Sequence, residues 1–390
     1  MTVTTPSGFV AAGAACGIKG PNQLDLALVA TDDGQPVPAS GVFTTNLAAA
    51  APVLVSRDHL AASGGRAAGV ILNSGNANAA TGVRGNSHAQ RMCQLVADGI
   101  GCGPREVLVC STGLIGIPLP IDAVESGISA LLDQRTGDGG PRAAQAIMTT
   151  DSSPKQVTVE GERFTIGGMA KGAAMLAPNM ATMLTVLTTD ASVQPAQLHR
   201  ALGNAVERSF NLLTTDGATS TNDTVIVLAS GRSGAEPDEA DLAEALWEAC
   251  SDLAGQMAAD AEGGTKVVRV RVTGGATSAE AARGARKIAE SQLVKCSFYG
   301  EDPYWGRIVS ELGSAGITFD PARVSVAYGG VVVCAGGVEA ARYDSAALKA
   351  AMAQPTIELV ADLGLGEGEG AVLTVDLTHG YIDENATYTR

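Results

Sequence analysis

The sequence predicts an α/β protein, and three observations carry that expectation. Short apolar runs, among them Gly69-Val70-Ile71-Leu72 and Val107-Leu108-Val109-Cys110, end in polar turns of Asn, Ser, Thr and Gly, as buried strands do. Helical stretches separate these runs, so strand and helix alternate along the chain. Ala and Gly are abundant while aromatic residues make up only 4%, which suits close-packed sheets and helices better than an aromatic-rich binding module.

Taken in order, Gly8–Ala14 opens the fold and Asp25–Ala30 reads as a strand. Gly41–Asn46 is another, followed by an Ala-rich turn and the apolar Val53-Leu54-Val55. Gly69–Leu72 leads into the polar loop Asn73–Ala79, and a helix continues to about Ile100. Val107–Cys110 is a short strand ending at Ser111-Thr112-Gly113. Helices are expected at 121–133 and 141–148, with the Gly-Asp-Gly-Gly linker 137–140 between them. Lys155–Glu160 and Phe164–Gly168 form a hairpin. It enters a small, irregular Gly/Ala stretch that ends in the turn dipeptide Pro178-Asn179. From Thr182 to Leu187 the chain turns apolar again and reads as a buried strand. Pro195–Leu213 is a helix, and Thr224–Ala229 a strand. Asp238–Asp260 is a long amphipathic helix whose early acidic residues match the positive end of its dipole. Lys266–Val272 alternates as a strand and Ser278–Ser291 is a helix, with strands and helices alternating to the end.

The 390 residues are enough for two or three domain-sized units, and 45% apolar content supplies their cores. With 26 Lys and Arg against 41 Asp and Glu, the net charge is −15, which argues against nucleic acid or an anionic membrane as partner. Seven cysteines, at 16, 93, 102, 110, 250, 296 and 334, show no CxxC and no Cys/His grouping, so they read as free thiols of a reducing cytoplasm with no zinc site. Nothing at the N-terminus resembles a signal peptide, and no run approaches the ~18 apolar residues of a membrane span.

Chemistry concentrates at Thr182, where the irregular loop meets a core strand. Cutting the Ala181–Thr182 bond would give Thr182 a free α-amine beside its own hydroxyl, placing nucleophile and general base on one residue. The motif alone leaves a second reading open, in which Thr182 is simply a β-branched residue opening a strand. Polar strand ends at Asn73–Asn78, Ser111–Gly113 and Thr149–Asp151 are where an α/β protein gathers reacting groups. Each alone is also an ordinary turn, and Ser111-Thr112-Gly113 alone is also a helix N-cap with a turn glycine.

Lys171-Gly172 followed by Met175-Leu176-Ala177-Pro178-Asn179-Met180-Ala181-Thr182-Met183-Leu184 closely resembles the self-cleavage segment of the ornithine acetyltransferase family, the bifunctional glutamate N-acetyltransferases of arginine biosynthesis. The likeness extends through Gly8-Phe9, Gly17-Ile18-Lys19, Val42-Phe43-Thr44, Asn73–Ala79, Ser111–Gly116 and Ala146–Asp151. It continues through Thr219–Thr224, Glu262–Lys266, Gly300–Pro303, Trp305-Gly306-Arg307 and Asn385, covering nearly the whole chain in one register.

That resemblance implies an αββα layered, N-terminal-nucleophile-like sandwich with a smaller C-terminal α/β lobe at roughly 275–390. It implies autocatalytic scission into an alpha chain, 1–181, and a beta chain, 182–390, which stay together and pair as a heterotetramer of two alpha and two beta chains. Thr182 then takes the acetyl group of N-acetylornithine and passes it to glutamate in a ping-pong cycle. Thr112 and Gly113 match the family's oxyanion hole and Thr149 a substrate contact, while Lys171, placed in the Gly/Ala loop, reads as the cation that lowers the pKa of the Thr182 amine. Glu262 matches an acidic substrate-site residue and Asn385 one that closes the site. No metal or cofactor is implied, and acetyl-CoA is left open as an additional donor.

Five positions depart from the family pattern. Ala80 stands where Cys is frequent, Ala174 where Gly is usual, Ala218 where Asp is usual, and Cys296 where Thr is common. Arg390 ends the chain in place of a small hydroxyl residue, so only its position matches a substrate contact; Thr389 is the nearest hydroxyl. Two other readings remain open at this level. One is an amidase or aminopeptidase using Thr182 with water as acceptor, and the other a paralogue, either a non-enzymatic one that keeps the fold without processing or an acetyltransferase of a specialised pathway.

Overall fold

A computed structural model describes residues 2–176 and 183–386. The chain divides into two units, residues 1–211 with 218–257 and residues 212–217 with 258–390. The first contains β1 (Phe9–Ala14), β2 (Leu26–Thr31), β3 (Val37–Phe43), α1 (Ala51–Ala62), β4 (Arg66–Ala67), β5 (Gly69–Asn76) and α2 (Gly82–Ile100). It continues with β6 (Val107–Leu114), α3 (Ile121–Asp133), α4 (Gly140–Ala146), β7 (Lys155–Glu160), β8 (Thr165–Lys171), β9 (Leu184–Thr189) and α5 (Pro195–Glu207). After β10 (Leu213–Thr214), which belongs to the second unit, come β11 (Thr224–Ala229) and α6 (Glu239–Ala259).

Two sheets build the first unit. One has strand order β1-β2-β5-β6 and the other β4-β3-β11-β9-β8-β7. Alternation along each strand explains how they stack. In β2, Ala27 and Val29 face a layer shared with Leu184, Val186, Ile226 and Leu228 of the other sheet. Leu26, Leu28 and Ala30 face the opposite layer, with Val96 of α2 and Val124, Ile128 and Leu131 of α3. Both faces are thus covered, which is why these strands read as unbroken apolar runs. On the far side of the six-stranded sheet, α5 packs on β3, and Leu253 of α6 reaches the β8 backbone at Gly168. The layers are helix, sheet, sheet, helix, as expected.

The second unit continues from α6 with β12 (Val267–Gly275), α7 (Ser278–Glu290), α8 (Gln292–Tyr299), α9 (Trp305–Gly313), β13 (Ser325–Tyr328) and β14 (Val331–Ala335). It ends with β15 (Val338–Glu339), α10 (Ser345–Met352), β16 (Thr356–Asp362), β17 (Gly368–Val375) and α11 (His379–Asn385). Its sheet has order β10-β17-β12-β16-β13-β14-β15. Val268, Val270, Val272, Ile357 and Leu359 pack under Ala285, Ile288, Phe298 and Leu312 of the helices. The alternate residues Arg269, Arg271 and Glu358 face outward, so this sheet is wetted on one side.

The structure also corrects several local expectations. Val53-Leu54-Val55 lies inside α1, which starts with Pro52 in its first turn, a position where the missing N–H costs nothing. Ser111-Thr112-Gly113 is part of strand β6 rather than a loop after it. Lys171 is the last residue of β8, not a member of the Gly/Ala loop. In that loop Met175 has a left-handed backbone (φ 53°).

Candidate active site

Parallel strands β5 and β6 pair Asn73 with Ser111, Ser74 with Thr112 and Gly75 with Gly113, and the register becomes irregular at Asn76, the last residue of β5. Gly113 has φ +130°, and a Cβ there would lie 2.3 Å from the Gly75 carbonyl carbon, so the two backbones approach in a way only glycine permits. Buried side chains brace this end. Ser111 Oγ donates to Asn73 Oδ1 (2.6 Å), Asn73 Nδ2 to the Asn76 carbonyl (2.8 Å), and Ser74 Oγ to the Ala146 carbonyl (2.6 Å). Thr112 is itself buried at this strand end.

In the other sheet, β9 and β11 run parallel, with Leu184 beside Thr224. The Thr224 N–H donates to the Met183 carbonyl (3.1 Å) and the Met183 N–H to Asp223 Oδ1 (3.0 Å). One residue earlier, Asn222 Nδ2 donates to the Ala77 carbonyl (2.6 Å) and to the Ser111 carbonyl (2.8 Å). Neighbouring residues therefore hold the head of β9 and the end of β6. Burial pushes the Asp223 carboxyl well above the usual carboxylate range, against the weaker pull of the Met183 N–H, Lys171 and Ser220.

Asp151 organises a third group. Its Oδ1 accepts from Lys155 Nζ (2.7 Å) and the Gly172 N–H (2.8 Å), and its Oδ2 accepts from the Thr149 N–H (2.9 Å). Lys171 Nζ lies 3.9 Å from Oδ2, and all three charged side chains are at most 3% exposed. Burial alone would raise the Asp151 pKa, but Lys171 and Lys155 outweigh it and hold the carboxyl well below its ordinary value. Lys171 pairs across the sheet with Leu184. Nearby, Asp25 accepts the backbone N–H groups of Cys16 (2.6 Å), Gly17 (3.0 Å) and Ile18 (2.7 Å), folding the Gly17-Ile18-Lys19 turn around it. Lys19 Nζ then reaches the Met148 carbonyl (2.5 Å) beside Thr149.

In the second unit, Asn385 Nδ2 donates to Glu262 Oε2 (2.8 Å) and to the Tyr381 carbonyl (3.0 Å). Helix α11 reaches this spot because Thr378 caps it, accepting the Tyr381 N–H (3.2 Å) and donating to the Gly263 carbonyl (2.5 Å). A Cβ on Gly263 would stand 2.1 Å from the Tyr381 nitrogen, so the contact requires glycine. The Tyr381 hydroxyl donates to Asp216 Oδ2 (3.4 Å), and its pKa is pushed up to about 12 by burial, then by Asp216 and Glu262.

Of the residues singled out in the sequence, Thr112 and Gly113 lie together at the end of β6, and Thr149 and Lys171 meet at Asp151. Glu262 and Asn385 touch each other. Ala181, Thr182 and Arg390 lie outside the described residues. Asn222, Asp223, Asp151 and Lys155 are organising residues to which the sequence pattern attaches no role, although three of them stand in the motifs Thr219–Thr224 and Ala146–Asp151. Among the described residues there is no group of three His, Cys, Asp or Glu able to hold a metal, and no helix is long and apolar enough to cross a membrane.

A family model described as the ArgJ family matches residues 10–390. The arginine biosynthesis bifunctional protein ArgJ of Mycobacterium bovis is 48% identical over 395 residues, which cover 99% of this chain and 96% of the relative. Its counterpart from Thermobifida fusca is 45% identical over 389 residues, 100% of each chain. A solved structure of ornithine acetyltransferase from Mycobacterium tuberculosis complexed with ornithine is 44% identical, covering 47% of this chain and 96% of its own, with a TM-score of 0.43. On the family match and on identity across essentially its full length, the chain belongs to the ArgJ family, the bifunctional acyltransferases of arginine biosynthesis.

Proposed function

We propose that the chain cleaves itself between Ala181 and Thr182 and then carries the acetyl group of N-acetylornithine to glutamate on Thr182. In processing, the Thr182 hydroxyl attacks the Ala181 carbonyl carbon, and the C–N bond breaks as the nitrogen takes a proton. Water then hydrolyses the ester, leaving an Ala181 carboxylate and a free amine on Thr182. In turnover that amine takes the hydroxyl proton while the oxygen attacks the acetyl carbonyl. Ornithine leaves with the proton on its nitrogen, and an acetyl-threonine ester remains. The glutamate amine attacks the ester, and the released hydroxyl recovers its proton.

The observation that carries this reading is the tie between Ser111 and Met183. Asn222 holds the carbonyl just before Thr112, and Asp223 holds the N–H just after Thr182. In this reading Thr112 and Gly113 are the oxyanion donors, worth roughly 3–4 kcal/mol for a lost donor. Lys171, buried and directed at Asp151, supplies positive charge that keeps the Thr182 amine below its ordinary pKa of about 8, so that it is a free base near neutral pH. Thr149 contacts substrate from the loop fixed by Asp151. Glu262 and Asn385 bind polar groups of the substrate, and position 390 lies by the same reading among the substrate contacts. The cleaved alpha and beta chains stay associated and pair as a heterotetramer. Acetyl-CoA, if accepted as a donor, is a second substrate and not a cofactor.

The test is an assay with N-acetylornithine carrying a labelled acetyl group. Label recovered on glutamate, and lost in Thr182→Ala, is the expected result. Label recovered as free acetate would make the chain an amidase, and equal transfer by Thr182→Ala would remove Thr182 from the chemistry.

A further inference from the structure

The Asn222–Asp223 dipeptide, at the entrance to β11, touches both sheets of the first unit at once. The Asn222 amide donates to Ala77 and Ser111, which lie 145 and 111 positions away along the chain, so these bonds are not local turn geometry. Asp223 Oδ1 takes the Met183 N–H, while the Asp223 carbonyl accepts the Thr44 N–H (2.9 Å) of the segment after β3. Asn222 is 4% exposed and Asp223 fully buried. Asp223 Oδ2 has no hydrogen-bond partner among the described residues.

We propose that Asn222 and Asp223 are a positioning pair that sets the distance between the oxyanion donors at Thr112–Gly113 and the backbone at the head of β9. This rests on the reading of Thr182 as nucleophile. Its physical basis is that acyl transfer tolerates little misplacement, with a shift of about 1 Å able to cost on the order of 100-fold in rate. The Asn222 amide nitrogen must donate twice, because both of its partners are carbonyls, while Oδ1 accepts from the adjacent Thr221 hydroxyl (2.6 Å). Asp223 need only accept, because its partner is an N–H. A neutral side chain is enough for that, and burial favours the un-ionised carboxyl here despite Lys171 on the neighbouring β8. Asparagine at 223 keeps the acceptor and the shape, whereas alanine removes both.

The experiment uses the full chain as wild type, Asn222→Ala, Asp223→Asn and Asp223→Ala, with Thr182→Ala as reference. Cleavage is followed on denaturing gels, transfer by kcat and KM, and folding by circular dichroism. Asn222→Ala and Asp223→Ala are expected to fold and to slow both cleavage and kcat by about tenfold or more, with KM within about twofold. Asp223→Asn is expected to stay within about threefold of wild type in both. The pair is overturned if Asn222→Ala turns over at the wild-type kcat, if only KM moves, or if Asp223→Asn is as slow as Asp223→Ala. If the alanine variants do not fold, amide exchange at Met183 decides together with Asp223→Asn. A protected Met183 amide in an active Asp223→Asn supports the clamp, and rapid exchange or an inactive variant overturns it. A wild-type chain that does not cut at Ala181–Thr182, or a Thr182→Ala chain that still transfers, overturns the nucleophile reading instead. Normal cutting with all dipeptide variants at wild-type rates removes the positioning pair alone.

Discussion

The candidate-site polar groups of the two units are held in opposite ways. In the first unit Asp151, Lys155 and Lys171 are sealed from solvent, as are Asn222 and Asp223, and Asp151 is bonded on both oxygens. In the second unit Glu262 is buried, but its partner Asn385 is exposed on the last turn of α11. The ion pairs on the open face of the β12 sheet, such as Arg271 with Glu358 (3.3 Å), are wetter still. Where water is excluded, an unbalanced charge costs several kcal/mol and the geometry is fixed by mutual compensation. Where water enters, a lost partner is replaced by solvent and the cost is small. The candidate-site groups of the first unit are therefore held rigidly, whereas Glu262 and Asn385 in the second are able to change partners.

The largest effect should come from breaking the dry cluster. Asp151→Asn removes the carboxylate that Lys155 and Lys171 face, and we expect a loss of about 3–5 kcal/mol in urea unfolding. A loss below about 1 kcal/mol would erase the contrast between the units.

Acid should act on the same cluster with a definite sign. The folded-state pKa of Asp151 is depressed, so its stabilisation is present above the unfolded value of about 4 and is lost as pH falls below it toward the lower folded value. Asp223 is the reverse case. Its raised pKa means that stability is lost as pH rises through about 4 toward the folded value, so Asp223→Asn should match or exceed wild-type stability at pH 7. Melting curves across pH 3–7 for both variants check the two signs together.

Next in size is Thr112→Ala. It leaves folding intact and lowers both cleavage and kcat by about 100-fold, read by gel and by acetyl transfer. A smaller effect is expected at Asn385→Ala, which frees Glu262 to water and should change stability by less than about 1 kcal/mol while raising KM. The smallest is Arg271→Ala, within about 0.5 kcal/mol by the same denaturation, because its carboxylate partners are solvated.

Much of this architecture was legible in the sequence where the signal was local. The β9 and β11 runs, the long α6 and the hairpin of β7 and β8 follow from apolar periodicity and turn residues, and their boundaries agree to within a few positions. The misread places are those where a distant contact overrides local pattern. Gly113 looks like a turn glycine, but it extends β6 because its backbone lies against Gly75, 38 residues earlier. Lys171 looks like a loop lysine among Gly and Ala, yet it ends a buried strand because Asp151 compensates its charge. Val53–Val55 reads only as a short apolar run after an Ala-rich turn, but buried Val53, Val55 and His59 give α1 an inward face. The roles of Asn222 and Asp223 depend on pairings across 40 to 145 residues, which no spacing rule reveals. The likeness to the acetyltransferase family did bring attention to their motif, without assigning either residue a task.

The most direct test of the account is N-terminal sequencing of the purified chain after it has been left to process. We predict two fragments that co-purify under native conditions and separate on a denaturing gel, the C-terminal one beginning Thr-Met-Leu-Thr at Thr182. Thr182→Ala should give one intact, folded chain of 39.3 kDa that transfers no acetyl group. An uncut wild-type chain, or a new N-terminus at any other residue, would contradict the assignment of Thr182 as the self-cleaving nucleophile.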